Sequence, residues 1–178
     1  MKTLKQHIDE ALKIGKNLSQ FSTYSCQPKT KQELTELIDE RVSRLGSDCD
    51  LNDIDVSKID DMSKLFYYSD FVGDISNWDV SNVEDMHDMF ANSLFNGDIS
   101  KWNTSKVIRM DSMFAESKFN QPIGDWDVSN VIDMQGMFAL SKFNQDISKW
   151  KIRKDCNTMY MLLRSSIRDS FVPKSMRC

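Results

Sequence analysis

The residues most able to do chemistry in this chain are few. Two histidines, His7 and His87, and four cysteines, Cys26, Cys49, Cys156 and Cys178, are spread over 178 residues. A histidine base needs a nucleophile or an orienting carboxylate within hydrogen-bond reach. Neither histidine lies in a motif that supplies one, and there is no phosphate-binding glycine loop, no G-x-S-x-G and no H-E-x-x-H. The cysteines form no C-x-x-C pair, so a zinc site is not expected. Asp48-x-Asp50-x-Asn52 looks like the opening of a calcium loop, but Asp53 replaces the required glycine and Ile59 the closing glutamate. Four scattered thiols suit a reducing compartment better than a disulfide framework. The expectation is a protein that is not an enzyme and needs no cofactor or metal.

What the chain does have is a repeat. Asp55–Trp78, Asp79–Trp102, Asn103–Trp126 and Asp127–Trp150 are four copies of 24 residues with no insertion between them. Met62, Met86, Met110 and Met134 share one phase, as do Phe66, Phe90, Phe114 and Phe138. Phe71, Phe95, Phe119 and Phe143 form a further column, then Ile75, Ile99, Ile123 and Ile147, then Trp78, Trp102, Trp126 and Trp150. One such unit cannot bury these side chains alone, whereas stacked units bury them as continuous columns. The spacing Val83, Met86, Met89, Phe90 predicts a short helix in each copy. Ile75–Val80 suits a short strand, and Asn96–Gly97 suits a turn. The expected fold class is therefore an α/β repeat solenoid, with one short parallel strand and one short helix per 24-residue turn. Its expected domains are a helical arm and cap at 1–54, the four repeats at 55–150, and a degenerate fifth repeat, cap and tail at 151–178.

The run Asn77–Phe90 (N-W-D-V-S-N-V-E-D-M-H-D-M-F), followed by F-N-G-D-I-S-K-W at Phe95–Trp102, resembles the BspA-type leucine-rich repeat, a family found mostly in bacterial surface proteins and lipoproteins. The resemblance covers about residues 31–165. It implies a right-handed, leucine-rich-repeat-like solenoid that binds other proteins, and it carries no catalytic residues. The third copy departs from the pattern at Asn103, Thr104, Pro122 and Gly124, which read as surface or strand-edge changes.

The ends read as caps. Thr30-Lys31-Gln32-Glu33 is a capping box, and the helix after it places Leu34, Leu37, Ile38, Val42 and Leu45 on one face before Gly46. A second amphipathic helix is expected over residues 3–18, as a packed element, a docking arm or a dimer contact. After Trp150, Met159, Leu162 and Leu163 continue the columns if one residue is inserted. Met1–Ser19 lacks the apolar core of a signal peptide, and no segment approaches the roughly 20 apolar residues of a membrane span. This predicts a cytoplasmic protein as written, or a surface protein if an export signal has been removed.

Residues 55–150 hold 16 acidic and 8 basic residues, and residues 151–178 hold 7 basic and 2 acidic. An acidic stack argues against nucleic acid, whose affinity comes from neutralised phosphates. It is either a device for a basic protein partner or a by-product of aspartates that suit corners. The basic C-terminal end is either solvated or anion-binding. Function falls to positions that vary among the copies. Asn77, Lys101, Asp125 and Lys149, each before a tryptophan, are expected on an exposed sheet face as the first partner-binding row. Glu84, Ile108 and Ile132, with Leu140 nearby, are the alternative row on the helix side. The expectation is a monomeric, non-catalytic protein-binding module of surface or adhesion type. The alternative is an intracellular inhibitor, for instance phage-encoded, that blocks a host or rival protein.

Overall fold

The computed structural model describes residues 26–176. The helix expected over residues 3–18 lies outside them. One α-helix, α1 (Lys31–Leu45), precedes the repeats, and two short 3-10 turns, Asp169–Phe171 and Lys174–Met176, follow them. The start of α1 is as its sequence demands. The Thr30 hydroxyl accepts the Glu33 N–H at 3.2 Å, and the Glu33 carboxylate accepts the Lys29 N–H at 2.7 Å, so orphan donors of the first turn are satisfied. Gly46, with φ 98°, ends the helix and returns its N–H to Val42. Leu34, Leu37 and Ile38 are buried in the same core as the repeats.

The expected α/β, right-handed leucine-rich-repeat-like solenoid of one strand and one helix per turn is overturned within the repeats. Among the described residues no copy contains a helix or a strand, and no sheet forms. Contact between turns is instead made at isolated parallel bridges, Asp61 to Asp85, Asp85 to Arg109, Arg109 to Asp133 and Asp133 to Asn157. Helix is refused over Met62–Ser69 for a reason visible in the backbone. In a helix the Phe66 N–H would reach the Met62 carbonyl; here it reaches Met89 in the next copy, at 2.9 Å. Met62, Lys64 and Tyr68 likewise donate to Asp85, His87 and Ala91, while the intervening Leu65, Tyr67 and Ser69 donate three residues back, closing tight turns. Two residues per copy take a left-handed backbone to make this possible: Lys64 and Tyr68, Asp88 and Asn92, Ser112 and Glu116, Gly136 and Leu140. Such a conformation costs a non-glycine residue about 1–2 kcal/mol. Four net bonds to the next copy, each worth about 0.5–1.5 kcal/mol, and the buried Phe and Met columns outweigh it, but only when a neighbour is present.

The expected strand at Ile75–Val80 is also absent. The Trp78 N–H closes a turn onto Ile75 at 3.2 Å, so these residues form a corner. Asn96–Gly97, read as a turn, is instead an irregular arc where the Asn96 side chain accepts the Asn120 N–H at 2.8 Å. The Asn120 side chain repeats this with Asn144.

The columns themselves form as the repeat requires. Phe66, Phe90, Phe114 and Phe138 stack with centroids 5.5, 5.7 and 5.8 Å apart and planes within 6°. All four tryptophans are 4% exposed. Each indole N–H donates to a carbonyl of the turn before, those of Leu51, Ile75, Ile99 and Ile123, at 2.9–3.2 Å. A buried indole donor needs such a partner. Thr104, in the divergent third copy, is no surface change: it is 1% exposed and its hydroxyl donates to the Asp127 carbonyl. The period also continues without the expected insertion. Met134, Gly136, Phe138 and Leu140 donate to Asn157, Met159, Met161 and Leu163, so Thr158, Met161 and Leu162 are the equivalents of Met134, Met137 and Phe138, while Met159 and Leu163 are exposed.

Corners are held by aspartate. The carboxylates of Asp55, Asp61 and Asp74 accept the N–H two residues on, from Ser57, Ser63 and Ser76. Asp79, Asp98 and Asp127 do the same for Ser81, Ser100 and Ser129. These serine bonds hold Asp55, Asp74, Asp79, Asp98 and Asp127 below the usual carboxylate pKa. Burial pushes Asp61 up, but Ser63 and Lys31 bring it below the usual value too.

Three outcomes are expected. Phe114→Ala should lower unfolding free energy by about 3–5 kcal/mol, whereas Tyr68→Ala, at a side chain 67% exposed, should change it by about 0.5 kcal/mol or less; urea titration measures both. Ser112→Gly should raise stability by a few tenths to about 1 kcal/mol, because glycine removes the left-handed penalty and loses part of the gain to chain entropy, while Ser112→Val should lower it. Carboxylates with lowered folded pKa give stability that is full above the ordinary pKa of about 4 and is lost as pH falls through the folded values. The melting temperature should therefore drop between pH 5 and pH 2, and Asp79→Asn combined with Asp127→Asn, which keep the acceptors, should flatten that drop.

Candidate interaction surfaces

The first row, Asn77, Lys101, Asp125 and Lys149, is exposed throughout. It does not lie on a sheet face, since none exists; each residue is the third of an Ile-Ser-x-Trp or Ile-Gly-x-Trp corner closed by the tryptophan N–H. The Asn77 N–H donates to the Asn52 side chain at 2.8 Å. Lys149 and Asp125 approach to 3.8 Å with side chains 80% and 91% exposed, a pair worth about 0–1 kcal/mol. Asn77 and Lys101 border a shallow cavity of ≈ 380 Å³ with Asp74 and Asp98.

The second row, Glu84, Ile108 and Ile132, is not on a helix either. Each residue directly precedes a bridge residue, Asp85, Arg109 or Asp133. The backbone beneath them is bonded from turn to turn: Glu84 N–H to Asp60, Ile108 to Glu84 and Ile132 to Ile108, at 2.8–2.9 Å. Their side chains therefore project from a hydrogen-bonded arc of the stack, with Ile108 36% and Ile132 44% exposed. Lys106, Asn130 and Arg153 complete a cavity of ≈ 370 Å³ here, so volume does not separate the two rows. The rows differ in their own side chains: the second carries two isoleucines, whereas the first is wholly polar and has Val72, 47% exposed, beside it in its cavity. Leu140 is also exposed, but it belongs to the Phe138–Ser141 turn rather than to this arc.

Charge beside the second row is ordered. Arg109 sits between Asp85 at 3.1 Å and Asp111 at 3.0 Å, and the His87 ring approaches Asp85 at 2.8 Å. Burial pushes the half-buried Cys156 thiol and the buried Cys49 thiol up from their ordinary pKa. Cys26, Cys49 and Cys156 are free thiols. Among the described residues no helix is long and apolar enough to cross a membrane, and no group of three His, Cys, Asp or Glu side chains is placed to hold a metal ion.

Two exposed apolar clusters were missed by sequence reasoning. Tyr67 and Tyr68 meet edge to face at 4.6 Å and are 45% and 67% exposed. On the last turn, Met159, Tyr160 and Leu163 are 58%, 61% and 47% exposed. Comparison of the copies carries a signal for both, because Tyr67 and Leu163 stand where Ala91, Ala115 and Ala139 occupy the middle copies.

No curated protein and no solved structure matches the chain. One family matches, described as a Mycoplasma protein of unknown function, DUF285, over residues 33–139 and again over residues 69–170. The two matched stretches overlap and take in all four copies and the turn after them, and on this extent the chain belongs to the DUF285 family.

Proposed function

We propose that the protein is a non-catalytic protein-binding module whose contact surface centres on Ile108 and Ile132, with Glu84, Lys106 and Arg153 at its rim. The observation that carries this reading is the pair of exposed isoleucines on the hydrogen-bonded arc, 36% and 44% open to solvent. Binding energy concentrates in apolar anchors surrounded by polar groups that exclude water. The row Asn77, Lys101, Asp125 and Lys149 is itself polar, with the single apolar Val72 beside it, and suits a rim that tunes encounter rate. The excess of acidic residues over 55–150 favours a basic partner surface, although many of these aspartates also hold corners. The likeness of the repeat to the BspA type supports a role in recognition, and a surface or adhesion setting is part of the same reading.

Affinity capture followed by surface plasmon resonance tests it. Ile108→Asp with Ile132→Asp should abolish binding of a captured partner while leaving the melting temperature nearly unchanged, since exposed substitutions shift stability by about 0.5 kcal/mol or less. Lys101→Glu with Lys149→Glu should alter the association rate alone. Loss through the lysine variant with none through the isoleucine variant moves the contact to the Asn77 row; loss through neither overturns both.

A further inference from the structure

Over Met62–Tyr68 and its equivalents the donors between turns all point one way, whereas at Glu84, Ile108 and Ile132 they point to the turn before. Met62, Lys64, Phe66 and Tyr68 point their N–H groups at the following copy, and the pattern repeats through Met134, Gly136, Phe138 and Leu140. The last turn keeps this conformation: Tyr160 and Arg164 have φ of 57° and 53°, as their equivalents do. The N–H groups of Thr158, Tyr160, Leu162 and Arg164 are thus aimed outward along one edge, and among the described residues none has an acceptor. Beside them stand the exposed Met159, Tyr160 and Leu163. The chain after this turn returns to the stack, with Phe171 accepting the Ile147 N–H, Val172 buried and Met176 packed against the core.

We propose that this edge takes up an acidic segment of a partner protein as one further layer of the stack. This surface is separate from the Ile108 row and does not rest on that reading. The edge offers backbone donors only, so its occupant must bring acceptors. Two copies of the chain placed edge to edge would set donors against donors. The matching acceptor edge, the carbonyls of Asp61, Ser63, Leu65 and Tyr67, lies at the end where α1 is anchored, with Lys31 bonded to the Ser63 hydroxyl and 3.2 Å from Asp61. Leu34, Leu37 and Ile38 are buried against the same core. A second copy is therefore a poor occupant at either end. Charge selects among the rest: residues 151–176 carry 6 basic and 2 acidic side chains, and Arg164 on the edge itself is exposed. Backbone pairing supplies affinity in such strand-like additions, and pockets for alternate side chains supply selection. Here Met159, Tyr160 and Leu163 supply the apolar contact.

The stack indicates the probe. A synthetic peptide of residues 83–93 carries the carbonyls of Asp85, His87, Met89 and Ala91, which already accept from such an edge within the chain, together with the acidic Glu84, Asp85 and Asp88. NMR-detected amide exchange on the full chain should find Thr158, Tyr160, Leu162 and Arg164 exchanging about 100-fold faster than Met134, Gly136, Phe138 and Leu140, as unpaired and buried paired amides do. Saturation with the peptide should slow the four edge amides by about tenfold or more. Fluorescence anisotropy should show saturable binding that Arg164→Glu weakens about tenfold and that Met159→Asp also weakens. The proposal is overturned if the edge amides are protected in the free chain at every concentration, because the chain then covers its own edge. Protection that grows with protein concentration overturns it in favour of a second copy. Equal protection by a scrambled peptide, or none at millimolar peptide, overturns it outright.

Discussion

The structure depends on where alternate backbone N–H groups go. Over Met62–Ser69 and its equivalents, half of them close local turns and half cross to the next copy. The arrangement satisfies the backbone without helix or sheet, which a buried chain must do somehow. It also explains why the copies tolerate left-handed residues as bulky as Tyr68, Leu140 and Tyr160. A single copy has the penalty and no neighbour to offset it. The side-chain columns follow from the same geometry: once each N–H is aimed at the equivalent stretch of the next copy, the phenylalanines and tryptophans must fall ring on ring.

The repeat and its buried positions were legible because a fixed period puts like residues in like environments. The four tryptophans and the two phenylalanine columns are where the phase of the sequence put them. Local conformation was not legible. Val83, Met86, Met89 and Phe90 have helical spacing, yet spacing reports only which side chains are buried, and a chain of linked turns buries the same set. Positive φ is usually announced by glycine or asparagine; of the left-handed positions within the repeats only Gly136 and Asn92 carry that mark, so the turns were invisible. The rows of variable residues were correctly expected at the surface, but the sheet face and helix side assigned to them do not exist. The edge at Thr158–Arg164 was obscured by an assumed insertion, which shifted Met159 and Leu163 into the core on paper.

Aspartate has a double role here. The acidic balance of the repeats suggested a basic partner, but Asp55, Asp61, Asp74 and their equivalents hold corners by accepting the N–H two residues on. A formal charge can thus accumulate from local turn chemistry, one corner at a time. The proposed contact is therefore placed on residues that vary between copies without holding a corner, such as Glu84, Ile108 and Ile132.

The even 24-residue spacing also bears on how the chain reaches its fold. The backbone links between repeats join residues some two dozen positions apart, so each added layer closes a loop of about the same length. Closure entropy grows only slowly with loop length, and here it does not grow along the stack at all. The termini never need to meet. Assembly can start at any adjacent pair of copies and lengthen in both directions, as a zipper does. A nascent chain can complete its first layers while the last repeat is still being synthesised.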